Sequence, residues 1–178
     1  MIRLKQLLRE ISKSDIQQCL DKIQRKEFRL IGAGDNGRVY EIDGEDKVFK
    51  ITKEQDEYAV AAQIVDRYEE FTCFIPVYYV DGKNMYIMSN AEELPTATKR
   101  IIDNFMRKYA VFARETGGEV SVFDFIAESQ TTDPTVDNFL NTLQIEVEKL
   151  NIADFELDLD FRSDNIMIWN GNMVLVDW

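Results

Sequence analysis

The stretch that decides the fold is Leu157–Trp178, which reads LDLDFRSDNIMIWNGNMVLVDW. Two apolar runs flank Asn170-Gly171, and this is the strongest short-range signal for a β-hairpin, because both residues tolerate the positive φ of a tight turn. The hairpin predicts that Asn165, at the start of one strand, lies close to Asp177, at the end of its partner. Oxygen ligands of this kind suit a divalent cation, and Asp160 in the preceding loop is placed to face whatever lies beyond the metal.

Composition indicates a soluble globular protein without polyanionic partners. The 178 residues are 45% hydrophobic and 30% charged, which suits one domain or two small lobes that share an interface. The formal net charge is −12, so nucleic acid and an anionic membrane surface would both repel the chain. Apolar runs stay short of membrane-spanning length and charges begin close to the N-terminus, so we expect neither a membrane span nor a secretion signal.

Two residue types restrict the chemistry. Cys19 and Cys73 are too few for a disulfide framework and lie in apolar sequence surroundings, which favours reduced thiols and a cytoplasmic location. The sequence has no histidine, which excludes histidine-based catalytic triads and histidine metal sites.

The hydrophobic pattern changes from helical to strand-like and back along the chain, which places the protein in the α+β class. Short connections between the first strands predict an antiparallel meander, since a crossover helix needs more residues. The first two helices either pack on the domain or offer a docking surface, and residues 120–127 are ambiguous between strand and helix. The predicted elements are short amphipathic helices at 2–11 and 14–23, strands at 28–34, 37–43, 46–52, 74–80 and 84–89, a connector at 89–95, longer helices at 54–71, 97–116 and 134–150, and the terminal hairpin.

A glycine motif joins the first two predicted strands. Gly32, Gly34, Gly37 and Val39 match GxGxxGxV, a spacing that also opens dinucleotide-binding folds. There the last glycine leads into a helix, whereas here it leads into a strand. In a strand-to-strand turn the glycines would let the backbone close over phosphates, and the alternative is a plain hairpin turn.

A lysine ends the apolar strand that follows. Strand alternation puts Lys50 on the same face as Val48, and a lysine that points from a strand interior toward a core needs an anion. Glu57 in the next helix is the candidate partner and Glu54, one turn earlier, is its rival. The alternative is a solvated lysine on an edge strand.

Together these motifs resemble a known superfamily. The glycine motif, the lysine in VFK, the helix glutamate, a connector after Met88, Asp160 with Asn165, and Asp177 occur in the order and roughly the spacing of the protein-kinase-like superfamily. The match spans Phe28–Trp178. Its terminal segment is more similar to aminoglycoside and choline kinase-like proteins and to small phage kinase-like proteins than to eukaryotic protein kinases.

The resemblance implies an α+β fold of two lobes. The N-lobe would be a five-stranded antiparallel sheet plus a helix, and a reduced helical C-lobe would end in the metal-site hairpin. The implied domains are N-terminal helices at 1–26, the N-lobe at 27–88 and the C-lobe at 89–178.

The resemblance also implies ATP and Mg²⁺ as cofactors and a role for each motif. Asp160 would orient and deprotonate the acceptor hydroxyl, Lys50 held by Glu57 would grip the phosphates, and Asn165 and Asp177 would hold Mg²⁺. The implied nucleotide-binding positions are Gly32, Gly34, Gly37 and Val39 around the phosphates, Lys50, Met88 at the back of the adenine pocket, and backbone groups from Ser89 to Ala91 against the base.

Three functional hypotheses follow from the resemblance. The first is an ATP-dependent phosphotransferase acting on a hydroxyl of a protein or a small cationic acceptor, which the predicted acidic cluster would attract. The second is a pseudokinase-type module that binds nucleotide or a partner without turnover, such as a phage-encoded inhibitor or regulator of a host protein. A counterpart to the family's substrate-binding half is missing from the sequence, which favours the second. The third is AMP transfer by the same residues, and the acceptor and oligomeric state stay open. The acidic cluster comprises Glu92, Glu93, Asp154, Glu156 and Asp158.

Overall fold

The computed structural model describes residues 2–117, 121–150 and 162–178, with residues 2–12 described as backbone alone. The chain divides into two compact units, Met1–Asp66 with Pro76–Asn90 and Arg67–Ile75 with Ala91–Trp178. Short 3₁₀ turns occur at Tyr68–Glu70 and Ser163–Asn165. The helices and strands in chain order are α1 (Ile2–Gln24), β1 (Phe28–Ala33), β2 (Gly37–Ile42), β3 (Lys47–Thr52), α2 (Gln55–Ile64), β4 (Val77–Val80), β5 (Met85–Ser89), β6 (Glu92–Glu93), α3 (Thr96–Glu115), α4 (Val122–Glu128), α5 (Pro134–Lys149), β7 (Ile166–Trp169) and β8 (Asn172–Leu175).

The first unit is built on a five-stranded sheet of order β1-β2-β3-β5-β4, in which neighbouring strands are antiparallel. The helix α2 lies between β3 and β4 in the chain. Strands rich in valine, isoleucine, tyrosine and phenylalanine form because these side chains pack well on a pleated surface. The predicted α+β class, with its meander, helix and hairpin, is confirmed and is consistent with the kinase-like architecture that the resemblance implies.

The prediction of two separate N-terminal helices is wrong, because α1 is one continuous helix. Neither glycine nor proline occurs in it, so nothing in the sequence forces a break between the two halves. Near its C-terminal end, Lys22 Nζ donates to the carbonyl oxygen of Asp43 at 2.7 Å and contacts Glu45 Oε1 at 2.6 Å. Apolar residues of this end pack against the sheet, namely Ile16, Leu20 and Ile23 against a cluster of Cys19, Ile42, Phe49 and Ile87.

The second unit contains the predicted hairpin. Strands β7 and β8 pair in antiparallel fashion, and their turn has φ of 49° at Asn170 and 80° at Gly171. Positive φ at both positions is what a two-residue turn of this hand requires, so the turn prediction is confirmed. The predicted connector is not entirely irregular, because β6 within it pairs with β7 and extends the hairpin to three strands.

The second unit also contains the helices α3, α4 and α5 and the segment Arg67–Ile75. Within the ambiguous segment, the described residues from Val122 onward form the helix α4. It begins at a capping box, in which Ser121 Oγ accepts from the Asp124 N–H and the Asp124 carboxylate accepts from the Ser121 N–H. In α5, the buried Glu146 carboxylate accepts from the Thr72 N–H at 2.7 Å, the Thr72 hydroxyl at 2.8 Å and the Cys73 N–H at 2.8 Å. These bonds fix residues 72–73 against α5.

The predicted helix at 54–71 and the predicted strand at 74–80 are both shorter than expected. The helix α2 ends at Ile64, and from Arg67 the chain belongs to the second unit. There the Ile75 N–H donates to the carbonyl oxygen of Leu175 at 3.0 Å, so this segment runs beside β8 before β4 begins. No helix in the described part of the chain is both long enough and apolar enough to span a membrane.

The packing of β2 on β3 generates a prediction about Gly37. A Cβ atom at Gly37 would lie 2.5 Å from the carbonyl oxygen of Ile51, which is backbone and cannot move aside. At Gly34 a Cβ atom would have no neighbour within 4 Å. We expect Gly37→Ala to lower the free energy of unfolding by about 1–3 kcal/mol in urea denaturation, as overpacking does. The matched variant Gly34→Ala should stay near the unaltered protein, and equal midpoints for the two variants would contradict the prediction.

Candidate functional site

Cross-strand register collects the predicted nucleotide-binding side chains on one face of the first unit's sheet. Val39 lies opposite Lys50, and Lys50 lies opposite Tyr86. Residues directly opposite each other in an antiparallel pair project to the same face, so these three side chains form one row. Two positions away, Val48 lies opposite Met88 and forms the next row on that face.

The glycine motif forms the turn at the end of that row. Gly32 pairs with Val39, and the Gly34 N–H donates to the carbonyl oxygen of Gly37 at 3.0 Å. Only Gly37 is required by close packing, since the space above Gly34 is open. The segment is therefore a β1–β2 hairpin turn whose outer side lacks side-chain bulk at Gly34, and its role over phosphates stays a prediction.

Lys50 and Glu57 form a buried ion pair. Lys50 Nζ lies 2.6 Å from Glu57 Oε1, and the two residues are 4% and 2% exposed. The structure thus selects Glu57 over Glu54, which is the exposed residue at the N-terminal cap of α2. The alternative of a solvated lysine on an edge strand is wrong, because β3 lies in the middle of the sheet.

Two further residues, which no sequence motif singles out, hold Glu57. Thr52 Oγ1 donates to Glu57 Oε2 at 2.6 Å, and the Tyr86 hydroxyl donates to Glu57 Oε1. Both residues are fully buried. Thr52 follows Lys50 by two positions, so strand alternation predicts a shared face, but Tyr86 could be found only once the register of β3 and β5 was known.

The residues predicted to surround a base lie at the end of β5. Met88 and Ser89 are 6% and 5% exposed, and Ser89 Oγ is hydrogen-bonded to Tyr78 Oη at 2.8 Å. The Ser89 N–H donates to the carbonyl oxygen of Pro76 at 3.1 Å. Ala91 belongs to the second unit, so base recognition by the backbone from Ser89 to Ala91 stays a prediction.

The hairpin of the second unit brings the backbones of the two predicted metal ligands together. Asn165 immediately precedes β7, and its carbonyl oxygen accepts from the Val176 N–H at 2.9 Å. Asp177 is the next residue, and both predicted ligands are half-buried. One carboxylate and one amide oxygen at the open end of a hairpin fit Mg²⁺, which usually takes few protein ligands and keeps water or phosphate oxygens. Among the described residues no cluster of three acidic, cysteine or histidine side chains offers another metal site.

Three members of the acidic cluster and the predicted base, Asp160, lie outside the described residues. The two cluster members that are described, Glu92 and Glu93, are exposed on β6. Glu93 contacts Lys99 Nζ at 3.3 Å, which partly offsets its charge. That the residues of the two units converge on one ligand stays a prediction.

Comparisons with known proteins give one structural similarity. No protein-family model and no curated protein matches the sequence. Among solved structures, the chain is similar to the aminoglycoside phosphotransferase APH(2'')-IIa in its ternary complex with streptomycin and ATP. The identity is 14%, the match covers 92% of this chain and 69% of that chain, and the TM-score is 0.38. At this identity and TM-score the similarity carries no conclusion about the ligands or the reaction of this chain.

The buried pair generates a prediction about coupling between its partners. We expect Glu57→Gln to lower the free energy of unfolding by about 3–5 kcal/mol, because it removes the carboxylate of a buried ion pair and leaves Lys50 in place. Lys50→Met should also destabilise the protein, and the double variant should lose less than the sum of the two, because the two single variants each remove the same ion-pair contact. Urea denaturation of the four proteins at neutral pH measures the coupling.

Glu54→Gln is the matched control for that cycle, because Glu54 is exposed and we expect its loss to cost about 0.5 kcal/mol or less. Strictly additive effects of the two single variants would show that Lys50 and Glu57 do not stabilise each other.

Proposed function

We propose that this chain is an ATP-dependent phosphotransferase that acts on a hydroxyl group of a protein or a small cationic acceptor. The observation that carries the proposal is the buried Lys50–Glu57 pair, which lies on the same sheet face as Val39 and Met88 and next to a glycine turn. The sequence resemblance to the kinase-like superfamily supports the same assignment. Its finer placement beside aminoglycoside, choline and phage kinase-like proteins stays a prediction.

Phosphoryl transfer requires positioning and charge neutralisation more than covalent participation by the protein. Lys50, oriented by Glu57, would contact nucleotide phosphates, and the turn at Gly34 would admit them close to the backbone. Asn165 and Asp177 would hold Mg²⁺, which supplies neutralisation of phosphate charge. We assign Asp160 the orientation and deprotonation of the acceptor hydroxyl.

The acceptor class is proposed from charge. Glu92 and Glu93 are exposed, and the sequence from 154 to 158 adds further carboxylates to a protein whose net charge is −12. Such a surface favours a cationic acceptor over an anionic one. The buried thiols of Cys19 and Cys73 support a cytoplasmic location, where thiols stay reduced.

Nucleotide binding is tested by thermal unfolding. A ligand that binds only the folded state raises Tm, and for a chain of 178 residues we expect ATP with Mg²⁺ at about 100 times Kd to raise it by about 5 °C or more. Gly34→Val should unfold within about 2 °C of the unaltered protein without ligand, because a Cβ atom at Gly34 has no neighbour within 4 Å, and should show a smaller rise with ATP and Mg²⁺. If the unaltered protein shows no rise at all, the nucleotide proposal fails.

Turnover is tested with labelled ATP and a panel of hydroxylated amines and basic proteins. We expect transfer from γ-labelled ATP, and we expect Asp160→Asn to abolish transfer while it leaves binding of ATP and Mg²⁺ nearly intact. Asp66→Asn, an exposed carboxylate outside the acidic cluster, is the control and should keep transfer. Binding without transfer in the unaltered protein would instead select a nucleotide-binding module, and label arriving only from the α position would select AMP transfer.

A further inference from the structure

The Glu57 carboxylate accepts hydrogen bonds from two hydroxyl groups in addition to its ion pair with Lys50. Lys50 Nζ and the Tyr86 hydroxyl both contact Oε1, and the Thr52 hydroxyl contacts Oε2. All four residues are at most 4% exposed. A carboxylate with this many short contacts has little freedom to rotate, because each rotation would leave a buried donor without its acceptor.

The donors are placed by the sheet and not by flexible loops. Lys50 and Thr52 lie two positions apart on β3 and therefore project to the same face, and Tyr86 lies opposite Lys50 on β5. The register of two paired strands therefore fixes all three donor positions. Since Glu57 is in the first turn of α2, fixing its carboxylate also fixes the start of that helix against the sheet.

Thr52 has a second contact that strengthens this link. Its hydroxyl oxygen accepts from the Glu54 N–H at 3.0 Å, so one side chain holds both the start of α2 and the carboxylate inside it. The next residue, Lys53, donates from its backbone N–H to the carbonyl oxygen of Asn36 at 2.8 Å and from Nζ to that of Asp35 at 2.8 Å. The glycine turn and α2 are thus connected through residues 52–53.

Displacing α2 would be costly. If Glu57 moved away from the sheet, Lys50, Thr52 and Tyr86 would each lose a buried contact with its carboxylate. Breaking several buried hydrogen bonds and an ion pair at once is strongly destabilising. The arrangement in which Lys50 meets Glu57 is therefore strongly favoured over one in which α2 is turned outward.

We propose that Thr52 and Tyr86 are positioning residues that hold Glu57, and through it Lys50, in the nucleotide-binding arrangement before any nucleotide binds. This inference rests on the proposed function for its consequence in binding, although the contacts themselves do not. It follows that α2 needs neither a ligand nor a partner protein to bring Glu57 to Lys50.

Hydrogen exchange of the unliganded protein tests the positioning directly. We expect Tyr86→Phe and Thr52→Val each to raise exchange of the α2 amides about tenfold or more, the change that corresponds to losing one hydrogen bond to a charged group. The amides of β2 should change much less. Thr52→Ser, which keeps the hydroxyl, should restore protection in α2.

Tyr40→Phe is the matched control, because it removes a hydroxyl from the opposite face of the same sheet, where Tyr40 stacks on Phe49. It should change neither exchange in α2 nor binding of ADP with Mg²⁺, whereas Tyr86→Phe should raise the Kd for ADP with Mg²⁺ about fivefold or more. Unchanged exchange of α2 in Tyr86→Phe, or an equal rise in α2 and β2, would overturn the inference. Failure of the unaltered protein to bind ADP would overturn the proposed function alone, since the exchange experiment uses no nucleotide.

Discussion

The first unit depends on the burial of an ammonium and a carboxylate in the middle of a sheet. Lys50 and Glu57 are almost entirely removed from water. The attraction between two buried charges offsets their desolvation penalty only when the ion pair has close to ideal geometry and the remaining carboxylate lone pairs accept hydrogen bonds. Lys50 occupies the central strand β3, while Glu57 belongs to the helix packed on it. The pair therefore joins sheet and helix through a contact that tolerates little displacement, and apolar packing alone would not fix the helix so closely.

The described part of the second unit also contains a buried carboxylate, but this one binds backbone and hydroxyl groups and not an ammonium. Glu146 accepts three hydrogen bonds from Thr72 and Cys73, and all three donors are neutral. The bonds hold an irregular segment against α5, beside the place where the chain runs along β8. Both units thus use a carboxylate inside a helix to fix neighbouring backbone or strand positions.

Much of the fold could be predicted because the decisive signals are local. Asn170-Gly171 specified the turn through its tolerance of positive φ, and alternation of β-branched and aromatic residues specified the strands. Elements whose conformation depends on residues far away in the sequence could not be predicted in this way. The strand β6 is two exposed glutamates, which have no strand preference of their own and are extended only because β7 lies beside them. The continuity of α1 was not predicted, because polar residues separate its two apolar stretches, yet serine inside a helix is tolerated and neither Ser12 nor Ser14 interrupts it.

In the candidate site too, some features could be predicted from local sequence and others could not. Strand alternation predicted that Lys50 points inward, and the sequence of the following helix offered two candidate partners, Glu54 and Glu57. Choosing Glu57 over Glu54 required the rotation of α2 relative to β3, which no local pattern encodes. Tyr86 was hidden for a related reason: its link to Glu57 follows from strand pairing across a long stretch of chain, and its own sequence context only predicts a buried strand residue.

Comparison of the two buried carboxylates bears on why Lys50 is there. Among the described residues, Glu146 is a buried carboxylate whose three hydrogen-bond donors are all neutral, and Glu57 already has two neutral donors in Thr52 and Tyr86. An added ammonium is therefore not explained by the needs of Glu57, because burying it carries a desolvation penalty of its own. We infer instead that Glu57 stabilises Lys50, because the carboxylate offsets the cost of burying the ammonium on that sheet face. This buried ammonium, on the same sheet face as Val39 and beside the open side of the turn at Gly34, is the feature from which the proposal of a nucleotide-phosphate contact starts.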